Sequence, residues 1–394
     1  MSKLKEPQTI AAANGIATDD AFGAVVPPIY LSSTFAFVGF EQARAYDYTR
    51  TANPSRDVLA DTLAKLEGGA GAVVVSSGMA AVDLVLGQLK QHDLIVAPHD
   101  CYGGTYRLLA ARRDREQFNV AFIDQNDDTA LSAALKRVPS LVLIETPSNP
   151  LMRVFDIQTI AARAKAVGAK VAVDNTFLSP ALQRPIALGA DFVIHSTTKY
   201  LNGHSDVVGG AVIAADKVDA EALSAWANIT GVTGAPFDAY LTLRGLRTLF
   251  PRIERQQATA VAVAAFLDQH PLVSAVHYPG LESHPGHAVA KAQQAGFGAM
   301  LSFELGGGIE DVRRFVEAVE VFTLAESLGG VESLVAHPAT MTHAGMSPEA
   351  RHAAGINDCL LRLSIGLEAQ ADLIADLEMG LAAVARTNQP SRTP

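Results

Sequence analysis

The run Ser196-Thr197-Thr198-Lys199-Tyr200-Leu201-Asn202-Gly203-His204-Ser205-Asp206 decides the reading of this chain. Its lysine stands 25 residues after Asp174, which closes the strand-like run Val171-Ala172-Val173-Asp174 before Asn175-Thr176. A lysine behind a row of hydroxyls, preceded by a carboxylate at a strand end, is the set that pyridoxal phosphate (PLP) requires. The amine forms a Schiff base, the carboxylate keeps the pyridine nitrogen protonated so that the ring acts as an electron sink, and the hydroxyls meet the phosphate. Taken singly, each residue has a plainer reading: Asp174 as a helix cap or turn residue, Lys199 as a solvated surface lysine.

Outward from this run, short apolar segments alternate with helix-period segments between residues 60 and 215. They are Ala72–Val75, Leu94–Ala97, Val120–Ile123, Leu141–Ile144, Val171–Val173, Phe192–Ile194 and Val207–Ile213. This rhythm predicts an α/β domain over residues 61–250 on a large, mostly parallel sheet, where ligands gather at the carboxyl ends of the strands. After residue 250 a helical stretch, Arg252–Gln269, leads to strand-like Ala299–Glu304 and Leu360–Ile365, a pattern that predicts a smaller α+β domain over 251–394. The first 60 residues show no useful period and are expected to form an extended arm making intersubunit contacts. The tail Thr387–Pro394 reads as disordered.

Other candidate residues also follow strand ends. In Val75-Ser76-Ser77-Gly78-Met79-Ala80 a strand breaks at small residues and a helix begins. Free N–H groups at a helix start suit a phosphate, though the same sequence also describes a plain turn. The segment Asp100-Cys101-Tyr102-Gly103-Gly104 offers an aromatic ring and two glycines that let backbone approach a flat ligand. A core tyrosine in a tight turn is the alternative. Arg362, inside the apolar run Leu360–Ile365, needs an anion: a substrate carboxylate gripped by two N–H groups, or a structural ion-pair partner.

Composition bounds the classes. With 31 basic and 41 acidic residues the formal charge is −10, and no Lys/Arg stripe exists to meet phosphates, so the reading is of a soluble protein binding small molecules rather than nucleic acid. The first seven residues lack an apolar core, and the longest apolar stretches are too short for a bilayer, which predicts a cytoplasmic protein with no membrane partner. Two cysteines, Cys101 and Cys359, give no Cys-x-x-Cys spacing, and Cys101 reads as a reduced, partly buried thiol. His337 and His343 lack the spacing and companions of a metal site and read as satisfied polar histidines; no metal is expected.

These motifs together resemble the Cys/Met-metabolism, or transsulfuration, family of PLP enzymes over nearly the whole chain. The wording that carries the resemblance includes Val26-Pro27-Pro28-Ile29-Tyr30, Asp47-Tyr48-Thr49-Arg50, Asn53-Pro54-Ser55-Arg56, His99-Asp100-Cys101-Tyr102-Gly103-Gly104, the Ser196–Asp206 run, Leu324-Ala325-Glu326-Ser327-Leu328-Gly329-Gly330 and Met341-Thr342-His343-Ala344-Gly345-Met346. The resemblance implies the aspartate-aminotransferase type of PLP-dependent transferase fold and a homotetramer built from two active dimers. It implies that Lys199 carries PLP, Asp174 pairs with the pyridine nitrogen and Tyr102 stacks on the ring. The phosphate is then held by Gly78 and Met79 N–H groups, by Ser196 and Thr198, and by Tyr48 and Arg50 of a neighbouring subunit. Arg362 would bind the substrate α-carboxylate with Ser148 and Asn149 nearby, Ser327 would position the freed lysine, and Glu326, Arg107 and Asp47 would face the distal part of the substrate.

The activity so implied is γ-replacement, which forms cystathionine from an O-acylhomoserine and cysteine. The alternatives are γ-elimination of cystathionine and, from another class, a non-catalytic binding protein on the same fold. One departure bears on the substrate. Thr51 stands where the family's replacement enzymes carry a second arginine, leaving Arg107 to meet a distal carboxylate with less help.

Overall fold

The computed structural model describes residues 5–346, 349, 351 and 354–385. The chain forms two compact units, one of Met1–Pro98, Arg107–Glu145 and Asp156–Phe250, the other of His99–Tyr106, Thr146–Phe155 and Pro251–Pro394. The second unit thus takes two short segments from the stretch whose strand rhythm belongs to the first.

Seven strands form one sheet in the first unit: β1 (Gly71–Val75), β2 (Leu94–Pro98), β3 (Asn119–Ile123), β4 (Leu141–Glu145), β5 (Lys170–Asp174), β6 (Phe192–Ser196) and β7 (Gly210–Ala214). Their order is β1-β7-β6-β5-β4-β2-β3. The pairs β2/β3, β2/β4, β4/β5 and β5/β6 are parallel, and β7 alone runs against its two neighbours. Strands β2, β4 and β7 are buried at every residue, so their unbroken apolar runs replace the alternation of a one-faced sheet. The last run begins at Gly210 rather than Val207, because Gly209 turns to the loop after β6: its carbonyl accepts from Thr197 N–H at 3.0 Å.

The helices are α1 (Pro7–Ala13), α2 (Pro54–Glu67), α3 (Gly78–Leu86), α4 (Gly103–Asp114), α5 (Asp128–Leu135), α6 (Ile157–Ala166), α7 (Ser179–Leu182), α8 (Lys217–Thr230), α9 (Pro236–Leu246) and α10 (Leu249–Asp268). Their starts follow capping chemistry. Asn53 accepts from Ser55 N–H at 2.9 Å, Asp156 from Thr159 N–H at 2.9 Å and Asp216 from Asp219 N–H at 2.9 Å. Ala81, Leu84 and Val85 of α3 share a core with Ala172, Ile194 and Val212 of the sheet. The arm holds one element that the sequence did not announce. Seven residues are too few to display a helical period, yet α1 forms and is pinned by Arg247, whose guanidinium donates to Ala11 O at 2.9 Å and Asn14 O at 2.7 Å. Between α1 and α2 the arm shows only two isolated bridges, Thr34 with Tyr48 and Gly39 with Gln42.

The second unit has a five-stranded sheet of β8 (Val273–His277), β9 (Met300–Leu305), β10 (Thr323–Leu324), β11 (Leu334–Ala336) and β12 (Leu360–Ser364), in the order β10-β11-β12-β9-β8. All its pairs but β10/β11 are antiparallel. With α11 (His287–Gln293), α12 (Ile309–Ala318) and α13 (Gln370–Ala385) it makes the α+β pattern expected after residue 250. Asp376 of α13 accepts the N–H groups of Glu320, Val321 and Phe322 at 2.7, 3.0 and 2.9 Å, anchoring the chain that enters β10. The tail Thr387–Pro394 lies outside the described residues.

Candidate active site

In the first unit the chemistry gathers where β1, β5 and β6 end. Ser77 caps α3 by accepting Ala80 N–H at 3.1 Å, and the first intrahelical bond runs from Ala81 N–H to Ser77 O at 3.0 Å. The N–H groups of Gly78 and Met79 come before that bond, so they and the positive end of the helix face outward for an anion. Opposite them is Ser196. A Cβ on Gly78 would stand 2.7 Å from Ser196 Cβ and 3.0 Å from its Oγ, so only glycine lets the helix start approach this hydroxyl. Such a cradle of two amides and a hydroxyl fits a phosphate group.

Lys199 follows in a turn off β6, half-buried. The turn is tightly held: Asn202 N–H donates to Thr197 O at 3.0 Å, Gly203 N–H to Lys199 O at 2.8 Å, and Asn202 Nδ2 to Asp206 Oδ1 at 2.8 Å. Thr198 Oγ1 accepts Gly209 N–H at 3.0 Å and reaches Gly209 O at 3.3 Å, which ties the loop to the residue ahead of β7.

Asp174 ends β5 beside Ile194 of β6. Burial pushes its carboxyl above the usual aspartate range, while the Thr176 hydroxyl and N–H, the latter at 3.0 Å, and His195 pull it down by smaller amounts. A carboxylate so placed is stabilised by a cation, and a protonated ring nitrogen meets that need; together with the phosphate cradle and Lys199, the residues present fit PLP. Behind the strand ends lies a group that the sequence did not reveal. Fully buried Glu67 and His195 meet at 2.6 Å through Oε1 and Nε2, and Asn175 Nδ2 donates to the same Glu67 oxygen at 2.9 Å. Gln183 Nε2 closes the cluster on Asn175 Oδ1 at 3.1 Å.

In the second unit Arg362 lies on β12, paired with Ala336 of β11 and Ser302 of β9, and is buried. Its Nη1 donates to Asn149 Oδ1 at 2.9 Å and its Nη2 to Ser327 O at 2.8 Å. Both of these partners are uncharged oxygens, and they hold the guanidinium in place. Ser327 holds φ at +88°, a left-handed conformation uncommon for a side-chain-bearing residue and typical of functional turns. Ser148 is fully buried and its hydroxyl donates to Asp100 Oδ2 at 2.9 Å. Arg362, Asn149, Ser148 and Ser327 are thus brought together within this unit, while Tyr102 and Glu326 stand exposed on it.

Asp47, Tyr48 and Arg50 lie exposed in the arm of the first unit. Arg50 Nη1 donates to Asn228 O at 2.8 Å, with its guanidinium 5.7 Å from the centre of the Tyr48 ring. Thr51 Oγ1 lies 3.4 Å from Asn228 Oδ1, and Arg107 is exposed on α4. Cys101 is a buried thiol outside any disulfide. His337 is engaged at both ring nitrogens, by Thr340 Oγ1 at 2.9 Å and Asp358 O at 3.0 Å, and His343 Nδ1 meets Thr342 Oγ1 at 2.9 Å.

Comparison with known proteins agrees with this chemistry. The family of Cys/Met metabolism PLP-dependent enzymes matches residues 8–382. Cystathionine gamma-synthase of Escherichia coli is 58% identical over 380 residues, covering 96% of this chain and 98% of that protein. Cystathionine beta-lyase of Lactococcus lactis is 47% identical over 367 residues, 93% of this chain and 96% of that protein. Among solved structures, cystathionine gamma synthase of Xanthomonas oryzae pv. oryzae in complex with cystathionine superposes with a TM-score of 0.97 at 57% identity, covering 98% of this chain and all of that one. With the lysine turn, the strand-end carboxylate and the amide cradle at the ends of one sheet, the chain belongs to the Cys/Met metabolism family of PLP-dependent enzymes.

Proposed function

We propose that the chain joins an O-acylhomoserine, with the succinyl ester as first candidate, to cysteine, forming cystathionine and releasing the carboxylic acid. The observation that carries this reading is the presence of Lys199 in the turn after β6, Asp174 at the end of β5 and Arg362 in β12, in a chain 58% identical to a protein named for this synthesis. PLP, when bound, supplies a ring that accepts the electrons freed at the substrate's Cα and Cβ. The protein's residues do the rest. Gly78, Met79, Ser196 and Thr198 hold the phosphate, Tyr102 covers the ring, and Asp174 offers its charge to the ring nitrogen. Arg362, steadied by Asn149, takes the α-carboxylate. Lys199 removes the Cα proton and moves protons at Cβ from the same side, held in position by Ser327. The acyloxy group leaves Cγ as a carboxylate, and cysteine sulfur forms the new bond there while its proton is given up.

Arg107, with Asp47 and Glu326, addresses the distal end of the substrate. Because Thr51 supplies no second charge there, the succinyl ester is expected to bind weakly. The exposed apolar residues of the arm, Phe22, Leu31, Phe37 and Phe40 among them, support an assembly in which the arm lies on another copy. In this reading two active dimers make a homotetramer, and Tyr48 and Arg50 reach the phosphate of the neighbouring subunit. Among the described residues no helix is long and apolar enough to cross a membrane, in keeping with a cytoplasmic enzyme.

Purified protein assayed with O-succinylhomoserine plus cysteine, and separately with cystathionine, tests the reaction. Cystathionine formation is expected to have the higher kcat/KM. If cystathionine is cleaved to cysteine and 2-oxobutanoate more efficiently than the succinyl and acetyl esters are converted, γ-elimination replaces the present reading.

A further inference from the structure

The two segments that the second unit takes from the middle of the chain are fastened by one buried carboxylate. Asp100 Oδ2 accepts Ser148 Oγ at 2.9 Å and Arg153 Nη1 at 2.8 Å, with the Asp100 side chain 2% exposed. Arg153 also lies 3.2 Å from His99 Nε2 and donates through Nη2 to Ala354 O at 2.9 Å. The other Asp100 oxygen, Oδ1, is buried without a hydrogen-bond partner among the described residues; His99 Nδ1 stands 3.8 Å from it. A buried ion pair with an unsatisfied oxygen is a poor stabiliser, because desolvation offsets the attraction. Its value has to lie in geometry. Asp100 stands two residues before Tyr102, and Ser148 stands one before Asn149, which receives Arg362 at 2.9 Å.

We propose that Asp100, with Arg153, is a positioning residue that fixes the Ser148-Asn149 turn and so aims Arg362 at the substrate carboxylate. Resting on the reading of Arg362 given above, the idea makes a specific demand: disturbing Asp100 weakens the grip on a carboxylate and leaves the grip on an amine unaltered. The test uses holoenzyme titrated with glycine, which has an amine and a carboxylate, and with methylamine, which has the amine alone, followed by the absorbance of bound PLP. Asp100→Asn keeps the shape and removes the charge. Its dissociation constant for glycine is expected to rise by about tenfold, with that for methylamine within about twofold of the parent. Arg153→Met should do the same, and Arg153→Lys should recover part of the loss.

Arg362→Lys separates the two ideas. If it weakens glycine selectively while Asp100→Asn does not, the positioning role falls and the carboxylate reading stands; if Arg362→Lys is itself unselective, both fall. Equal weakening of glycine and methylamine by Asp100→Asn would mark Asp100 as merely structural and overturn the proposal. Should Asp100→Asn not fold, the Arg153 variants read the same ratio and decide the matter.

Discussion

At the scale of single residues, Lys199 and Asp174 carry the sharpest expectations. Lys199→Ala should abolish borohydride-reducible attachment of PLP and turnover, since no other lysine stands in the turn; an attached cofactor in that variant would refute the assignment. Asp174 gives a prediction with a sign. Burial raises its carboxyl pKa in the folded protein above that of the unfolded chain, so the folded apoprotein holds the proton more tightly. The stability this contributes is complete below the unfolded value and is lost as pH rises through the folded one. Above the unfolded value, and so at neutral pH, Asp174 therefore disfavours the folded apoprotein. Asp174→Asn should raise the apoprotein melting temperature by roughly 2 °C. It should also weaken PLP binding about tenfold or more by removing a charge-assisted partner. Melting curves with and without PLP read both effects, and a variant less stable than the parent apoprotein would contradict the argument. Both residues were legible in the sequence because each follows an apolar run that marks a strand end. Glu67 and His195 were not, since 128 positions separate them and only folding creates the pair.

At the scale of elements, the approach of α3 to β6 is an exacting contact. A methyl group on Gly78 would meet Ser196 at 2.7 Å, with the backbone of that residue 3.0 Å away, so Gly78→Ala must push the helix start off the strand. The fold should survive, because the apolar face of α3 remains. PLP binding measured by equilibrium dialysis should weaken by about ten- to a hundredfold, the cost of one lost charge-assisted contact of ~1.5–3 kcal/mol. Unchanged affinity would mean that the phosphate is not held there. Five-residue strands buried along their length stood out as apolar runs, and all seven in the first sheet were readable within three residues. Elements shorter than a period were not: β10 and β11, of two and three residues, and α1, of seven, owe their form to tertiary hydrogen bonds rather than to local pattern.

For the whole molecule, the arm is the test of assembly. If Tyr48 and Arg50 serve a neighbouring subunit, inactive Arg50→Ala and inactive Lys199→Ala chains should restore part of the activity when allowed to exchange, because each hybrid dimer holds one intact site. Proven hybrids without recovered activity would place Arg50 outside the shared site. The division of the chain also sets a timetable on the ribosome. The segments His99–Tyr106 and Thr146–Phe155 emerge more than ninety residues before Pro251, where the continuous part of the unit they join begins. A nascent chain stopped at Phe250 holds all seven strands of its first sheet and the residues that fasten these turns to each other, but Arg153 and Asn149 must wait for Ala354 and Arg362 to be translated. If Arg362 grips the substrate carboxylate, that capacity is acquired last, and a chain cut short by a premature stop at Phe250 would keep Lys199 and Asp174 but lack Arg362.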